Sequence, residues 1–364
     1  MTEPTDLLNA LDDPADADPL VAAARGLADG LLAPAAAQVD AGAVPRSHLD
    51  ALAGAGLLGL AAPRQAGGAD AAPGVVRRVT ELLAGADLAT WFVQAQHHGP
   101  VRALARAGRF DATVTELATG RAVAGIAFSH LRRWPQLPVT ASRDGDGWRL
   151  DGEAPWYTGW GINDLALLAG ASAAGDVVFV LVPARASASV QPSAPMRVAA
   201  LESASTVTLR LDGLRVPGPD VVSVQPMADW AAQDRHTTVN VNPAVFGVAA
   251  SALQLLTEQG ARRGEPEALD AARRLADRLG EVRAQAYRLI DAGAPDEAVP
   301  QRLALRAQAL HLLVEATTAL VVAGAGGSMA RSSPAQRKAR EGLFLLVQAQ
   351  TAQARRATLR RWAG

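Results

Sequence analysis

The sequence predicts an α+β protein in three parts: an N-terminal helical domain, a central antiparallel β domain and a C-terminal four-helix bundle. Three observations carry this. From Leu20 to Gly120 the chain is rich in Ala and Leu at helical spacing. From Arg121 to Val224 the pattern changes to alternation broken by turn residues. From there to the end, long helical periods return. The expected boundaries are a disordered acidic N-terminus over 1–19, the helical domain over 20–120, the β domain over 121–224 and the bundle over 225–364.

In the first part, Leu49, Leu52, Leu57 and Leu60 follow the turns of one helix and its exit, which Pro63 and Gly67-Gly68 stop. Val75, Val79, Leu82 and Leu83 repeat at i, i+4, i+7 and i+8 and begin another helix. A longer one is expected from Asp87 to Ala107, ended by Gly108. In the second part, Thr206 to Leu211 alternates polar and apolar residues, as a half-buried strand does. Asp144-Gly145-Asp146-Gly147 is a hairpin turn signal leading into a strand from Trp148 to Gly152. Asp164 to Ala169 and the Val/Phe run Asp176 to Val182 read as further strands, the latter buried. In the third part, helices are expected over Pro243–Leu256, Ala268–Ile290, Gln301–Ala323 and Ser333–Arg361. Ser333-Pro334 is the N-cap and first position of the last.

Composition narrows the function. There are 35 basic and 36 acidic residues, so the chain has no net field to draw a phosphate backbone, and nucleic acid is not an expected partner. Lys338 is the only lysine. The absence of cysteine excludes disulfides, iron–sulfur clusters, thiolate zinc sites and cysteine nucleophiles. The acidic, proline-interrupted start lacks the basic and apolar regions of a secretory signal. The most apolar run, Leu303 to Gly327, contains Arg306, His311 and Glu315 and reads as a buried helix rather than a membrane span. A cytoplasmic protein without membrane insertion is the expectation.

Two motifs resolve to structural roles. Gly54-Ala55-Gly56-Leu57-Leu58-Gly59 matches G-x-G-x-x-G, but a helix precedes it where a dinucleotide fingerprint needs a strand. His97-His98 point to different helix faces, and no other histidine stands at ligand spacing, so no metal is expected. Trp156-Tyr157-Thr158-Gly159-Trp160 stands apart. It is either a hydrophobic corner or a platform for a flat ligand, with an indole to cover a heterocycle and a hydroxyl to add one directional bond.

Four patterns in chain order resemble the acyl-CoA dehydrogenase family over nearly the whole sequence. Gly56-Leu57-Leu58-Gly59-Leu60 with Pro63 and Gly67-Gly68 resembles its "GL-GL…P…GG" run. Asp151 to Gly159 resembles its "NG-x-K-x-W-I-T-N" strand and loop, and Leu214-Arg215-Val216-Pro217 its "V-x-VP". Gly326-Gly327, Ser333-Pro334-Ala335-Gln336-Arg337 and Arg340 resemble "GG-x-G…P-x-x-R…RD". The resemblance implies an FAD-dependent oxidoreductase that desaturates an acyl-CoA or related thioester, with hydride passing to the flavin. It also implies an electron-accepting flavoprotein or other acceptor, a role in fatty acid metabolism, and a homo- or hetero-oligomer. Carried over, Trp156 lies against the isoalloxazine and Thr158 bonds near its reactive edge. Phe128 and Ser129 hold the flavin from a strand end, Gly326 and Gly327 admit the partner subunit's FAD, and Thr351 contacts the cofactor.

The chain departs from that pattern in three places. Ser129-His130-Leu131-Arg132-Arg133-Trp134 replaces "T-E-P-x-x-G-S-D". Arg262-Arg263-Gly264-Glu265-Pro266 replaces "R-x-x-F-G". The position of the catalytic glutamate falls on Ala349, which has no proton acceptor. In relatives that carry the base on the first bundle helix, the match falls on Thr237. Asp234, one helical turn earlier, is the candidate catalytic base, with His236 behind it. Two alternatives follow from the missing base: a non-catalytic partner subunit of a hetero-oligomeric dehydrogenase, or a flavin monooxygenase-like relative. An oligomer is also expected from the apolar faces formed by Leu303, Leu310, Leu313 and Leu320 and by Leu343, Leu346 and Val347.

Overall fold

The computed structural model describes residues 13–293 and 295–363. Asp18 caps the first helix, α1 (Pro19–Leu27), and accepts from the Leu20 amide. A π-helical turn, Ala28–Leu32, carries α1 into α2 (Ala33–Ala41). Pro34 in the first turn of α2 lacks an amide proton, which disturbs the regular helical bonding there. Then come α3 (Arg46–Gly54), α4 (Pro73–Ala86), α5 (Leu88–Ala107) and α6 (Asp111–Ala118). Asp87 caps α5 through the Ala89 amide, and Gly108 ends it in the left-handed region, as expected for that stretch.

Disorder was expected over 1–19, but residues 13–19 are ordered; residues 1–12 lie outside the described residues. Asp13 caps a short turn, Pro14–Ala17, and accepts from Arg283, while Asp16 accepts from Arg25 and Arg78. Both aspartates join a buried network centred on Glu81, which takes bonds from Arg78, Arg283 and the Tyr287 hydroxyl.

The central sheet contains β1 (Ala124–Ala127), β2 (Val139–Asp144), β3 (Gly147–Tyr157), β4 (Leu165–Ala171), β5 (Asp176–Pro183), β6 (Val190–Pro192), β7 (Val207–Val216) and β8 (Val221–Pro226). Its order is β6-β7-β3-β2-β4-β5-β8, with β1 beside β4. It is mixed rather than wholly antiparallel, because β1 and β2 both run parallel to β4. On β4, Ala166 and Leu168 pack with Val178 and Val180 of β5 on one face. Leu167, Ala169 and Ala171 pack with Val177 and Phe179 on the other, against Val101 and Leu104 of α5 and Leu117 of α6. Alternation thus places apolar side chains on both faces, each covered.

The remaining helices are α7 (Met227–Thr238), α8 (Pro243–Arg263), α9 (Pro266–Asp291), α10 (Val299–Gly324), α11 (Pro334–Val347) and α12 (Ala352–Ala363). The single helix expected over Ser333–Arg361 is broken at 348–351, where Gln348 is extended and Ala349 has φ 50°. Helices α8 to α11 share one core with α1 to α5, in which Val79, Leu83 and Trp91 meet Phe246, Leu279, Leu310 and Leu345. Leu310, Leu313 and Leu320 are buried inside this core and need no partner, whereas Leu343 and Val347 remain exposed. By length and composition alone, the helical stretches Pro19–Ala41, Met227–Arg263 and Asp296–Met329 are apolar enough to cross a bilayer.

The two motifs set aside by sequence serve packing. A Cβ on Gly59 would stand 2.8 Å from the Ala118 carbonyl oxygen, so that glycine admits a close backbone approach. His97 accepts from the Ala124 amide through Nδ1, and its Nε2–H reaches the Leu117 carbonyl, tying α5 to β1 and α6. His98 meets the Gln94 side-chain amide through Nε2.

Candidate functional site

The aromatic cluster sits at the end of β3 rather than in a loop, because the strand continues to Tyr157. A register shift between Ala154 and Tyr157 interrupts its pairing with β7. Within that bulge Trp156 takes φ 64°, a left-handed conformation that costs a non-glycine residue about 1–2 kcal/mol. Strain of this kind persists where the surroundings impose it, and here it turns an indole outward, 55% exposed. Tyr157 points inward, and burial raises its phenol well above the usual value. Its hydroxyl accepts from the Asn163 side-chain amide, which also donates to the Thr158 carbonyl; Asn163 Oδ1 is buried with no partner among the described residues.

Thr158 is buried, and its hydroxyl pairs with that of Thr206 at 3.1 Å. The bulge therefore separates two residues that a regular strand would set on one face. The pair of hydroxyls shares one proton and keeps the other to donate.

Phe128 follows β1, and Ser129 opens a tight turn over Ser129–Arg133. The Phe128 ring stands edge-on to Trp230 at 6.1 Å, and the Arg132 guanidinium lies 5.6 Å from its centroid. Arg132 also grips Asp234 on α7 with two bonds, Nε to Oδ2 at 2.8 Å and Nη2 to Oδ1 at 2.7 Å. The candidate base does not stand free, since both its oxygens accept from one guanidinium. His236 and Thr237 are exposed on the same helix, and the His236 carbonyl is taken by Arg302. His130, next to Ser129, is buried; burial pushes its imidazole down to about 4, and Nε2–H donates to the Ala169 carbonyl.

The helix break at 348–351 comes to this region through Arg306, a residue that sequence patterning had marked only as a charge inside an apolar helix. Its guanidinium donates to the carbonyls of Thr238, Gln348 and Ala349. These are C-terminal groups of α7 and α11, and two helix dipoles thus stand in for a counter-ion. Burial pulls Arg306 down to about 10, and the charge of Arg132 adds to this. The Arg306 guanidinium thus holds the backbone at the place where the resemblance puts a carboxylate, and Ala349 has no acceptor side chain. Thr351 accepts from the Ala354 amide and caps α12, leaving its hydroxyl proton free.

Gly326 and Gly327 lie in an exposed turn, Ala325–Met329, where an added Cβ on either glycine would meet nothing within 4 Å. Eighteen helical rises carry α10 from Arg306 to Gly324 at its end, roughly 27 Å at 1.5 Å per residue. Within one chain the glycine turn and the Arg132–Arg306 region stand too far apart to share a small ligand.

The arrangement fits a flat, ring-bearing cofactor at the outward Trp156 and at the open glycine turn. The hydroxyls of Ser129 and Thr351 each retain a proton to donate. Thr158 fits less well, because it faces inward.

Residues 14–116 match the family model described as acyl-CoA dehydrogenase, N-terminal domain. No curated protein matches the sequence. Among solved structures, the chain is similar to a putative acyl-CoA dehydrogenase from Mycobacterium smegmatis (TM-score 0.83, 18% identity, covering 96% of this chain and 98% of that one). It is also similar to butyryl-CoA dehydrogenase from Megasphaera elsdenii (TM-score 0.75, 14% identity, 97% and 99% covered). A third similar structure is dibenzothiophene monooxygenase from Paenibacillus sp. A11-2 (TM-score 0.78, 17% identity, 94% and 96% covered). The chain therefore has the fold of the acyl-CoA dehydrogenases. More particularly, residues 14–116 are similar to that family's N-terminal domain.

Proposed function

We propose that this protein is an FAD-dependent oxidoreductase of the acyl-CoA dehydrogenase type that takes an acyl thioester. The observation that carries the reading is Trp156, an exposed indole held outward by a left-handed backbone at a strand bulge. Among the described residues no ring contact or side-chain hydrogen bond engages that indole, and a flat heterocycle stacked on it would. The flavin, when bound, accepts hydride. Trp156 covers one face of the ring, Ser129 and Thr351 donate hydroxyl protons near it, and the Gly326-Gly327 turn receives the cofactor of a second subunit.

A specific observation favours a second reading, in which the chain is the subunit of a hetero-oligomer that does not abstract the α proton. Ala349 has no acceptor, and Asp234 is engaged at both oxygens. Desaturation needs a base, and neither position supplies a free one.

The test is an absorbance spectrum of the purified protein, followed by anaerobic titration with short, long and branched acyl-CoAs. A bound flavin that bleaches with a thioester supports the first reading. Flavin that stays oxidised with every thioester, and bleaches once a base-bearing homologous subunit is added, supports the second. Protein that binds no FAD even when supplied with it refutes both.

A further inference from the structure

The last helix carries a surface that the proposed reaction does not use. From Gly342 to Gly364 the sequence has no acidic residue, yet α12 alone holds Arg355, Arg356, Arg360 and Arg361. All four are exposed, and no carboxylate of the described residues pairs with any of them. Other exposed arginines, such as Arg210, Arg215 and Arg278, do hold acidic partners. Helix α12 rests on α10 through Ala354 and Thr358, which are buried, and Trp362 stands 6.1 Å from the His311 ring. At 100° per residue, Trp362, Arg355, Leu359, Arg356 and Arg360 then follow one another round the free side. Leu359 is 57% and Trp362 47% exposed.

We propose that this face of α12 docks on a membrane surface bearing anionic lipid. Three unpaired guanidinium groups on this face, those of Arg355, Arg356 and Arg360, call for anions, and phosphate headgroups match their bidentate geometry. The interleaved leucine and indole call for partial removal from water, which the headgroup–acyl boundary provides. The long arginine stems let the charge stay at headgroup level while the apolar residues sink. The size of the face argues against a protein in that place. Twelve residues make a helix about 18 Å long, and its free side offers roughly 300 Å², well short of the ~800 Å² per partner of a specific complex. A second copy related by a two-fold axis would set arginine against arginine. The proposal is independent of the flavin reading, because no residue of α12 after Ala354 enters the candidate site.

The experiment is co-sedimentation of the full chain with vesicles of phosphatidylcholine, with and without phosphatidylglycerol, at low and high salt. Binding is expected only with phosphatidylglycerol and is expected to fall steeply as salt is raised. Replacing Arg355→Gln and Arg356→Gln together should lower the partition coefficient on the order of 25-fold, about five-fold per charge. Leu359→Ser should weaken binding while leaving the salt dependence in place. Circular dichroism and light scattering establish that each variant is folded and of unchanged mass. Failure to bind anionic vesicles at low salt overturns the proposal, as does equal binding to phosphatidylcholine alone. Retention on immobilised polyglutamate without vesicle binding assigns the face to an acidic protein. A drop in mass on replacing the arginines assigns it to a subunit contact. Either of those results also overturns the membrane reading.

Discussion

Replacing Asp234→Asn separates a chemical role from a structural one. If Asp234 were a free base, the amide would leave stability unchanged and lower flavin reduction by about 10²–10⁴-fold. The structure predicts the reverse. The carboxylate takes two bonds from Arg132, with the two side chains only 23% and 12% exposed. Removing the anion strands a largely buried guanidinium, which costs about 1–3 kcal/mol, below the full buried-pair value because solvent still reaches Arg132. A chain of 364 residues unfolds with an entropy of roughly 0.8 kcal/mol per degree, so the melting temperature should fall by about 1–4 °C. Arg132→Gln should cost a similar amount, and the double variant less than the sum, with a coupling of about 1 kcal/mol or more. The assay is thermal unfolding of the four proteins, paired with rapid mixing of each with the acyl-CoA that bleaches the wild type best. An unchanged melting temperature with a hundred-fold slower reduction would falsify the structural assignment and restore Asp234 as the base.

Acid should unfold the protein early. His97 and His130 are buried and neutral, held near 4 by desolvation against an unfolded value of 6.5. Their contribution is complete above pH 6.5 and is lost as pH falls from 6.5 towards 4, at about 1.4 kcal/mol per pH unit for each, or about 3 kcal/mol apiece in total. Urea midpoints measured from pH 7 to 4.5 should show that slope, and the double variant His97→Gln/His130→Gln should reduce it, leaving the share of His98, which burial also pushes well below its usual value; equal slopes would count against both. Trp156→Gly is expected to leave stability within about 1 kcal/mol, since relief of the left-handed strain offsets the added chain entropy. The same change should weaken FAD retention by roughly 10–100-fold, and equal flavin content after gel filtration would remove Trp156 from the site. Gly247→Ala should destabilise by about 3 kcal/mol or more, because α4 and α8 cross where a Cβ on Gly247 would collide with the Glu81 backbone; a near-neutral melting temperature would show that the crossing can open.

Local pattern alone gives the helix–sheet–helix order, the extent of α5 and its Gly108 stop. Each depends on neighbours within a turn or two, and periods of 3.6 and 2 residues record such neighbours directly. Tertiary structure decides the rest. Arg132 is 102 residues from the aspartate it engages, and Arg306 is 68 and 42 residues from carbonyls it holds. No spacing rule reaches that far, so Asp234 reads in the sequence as an available base and in the fold as half of an ion pair. The bulge before Tyr157 arises from pairing with β7, which sends Trp156 out and Thr158 in where simple alternation puts them on one face. The shared core of the first and last helices likewise buries Leu310, Leu313 and Leu320, whose spacing had pointed to a partner. Composition and period say what a residue is able to do; which groups meet it, and therefore what it does, is set by contacts that form only when distant segments pack.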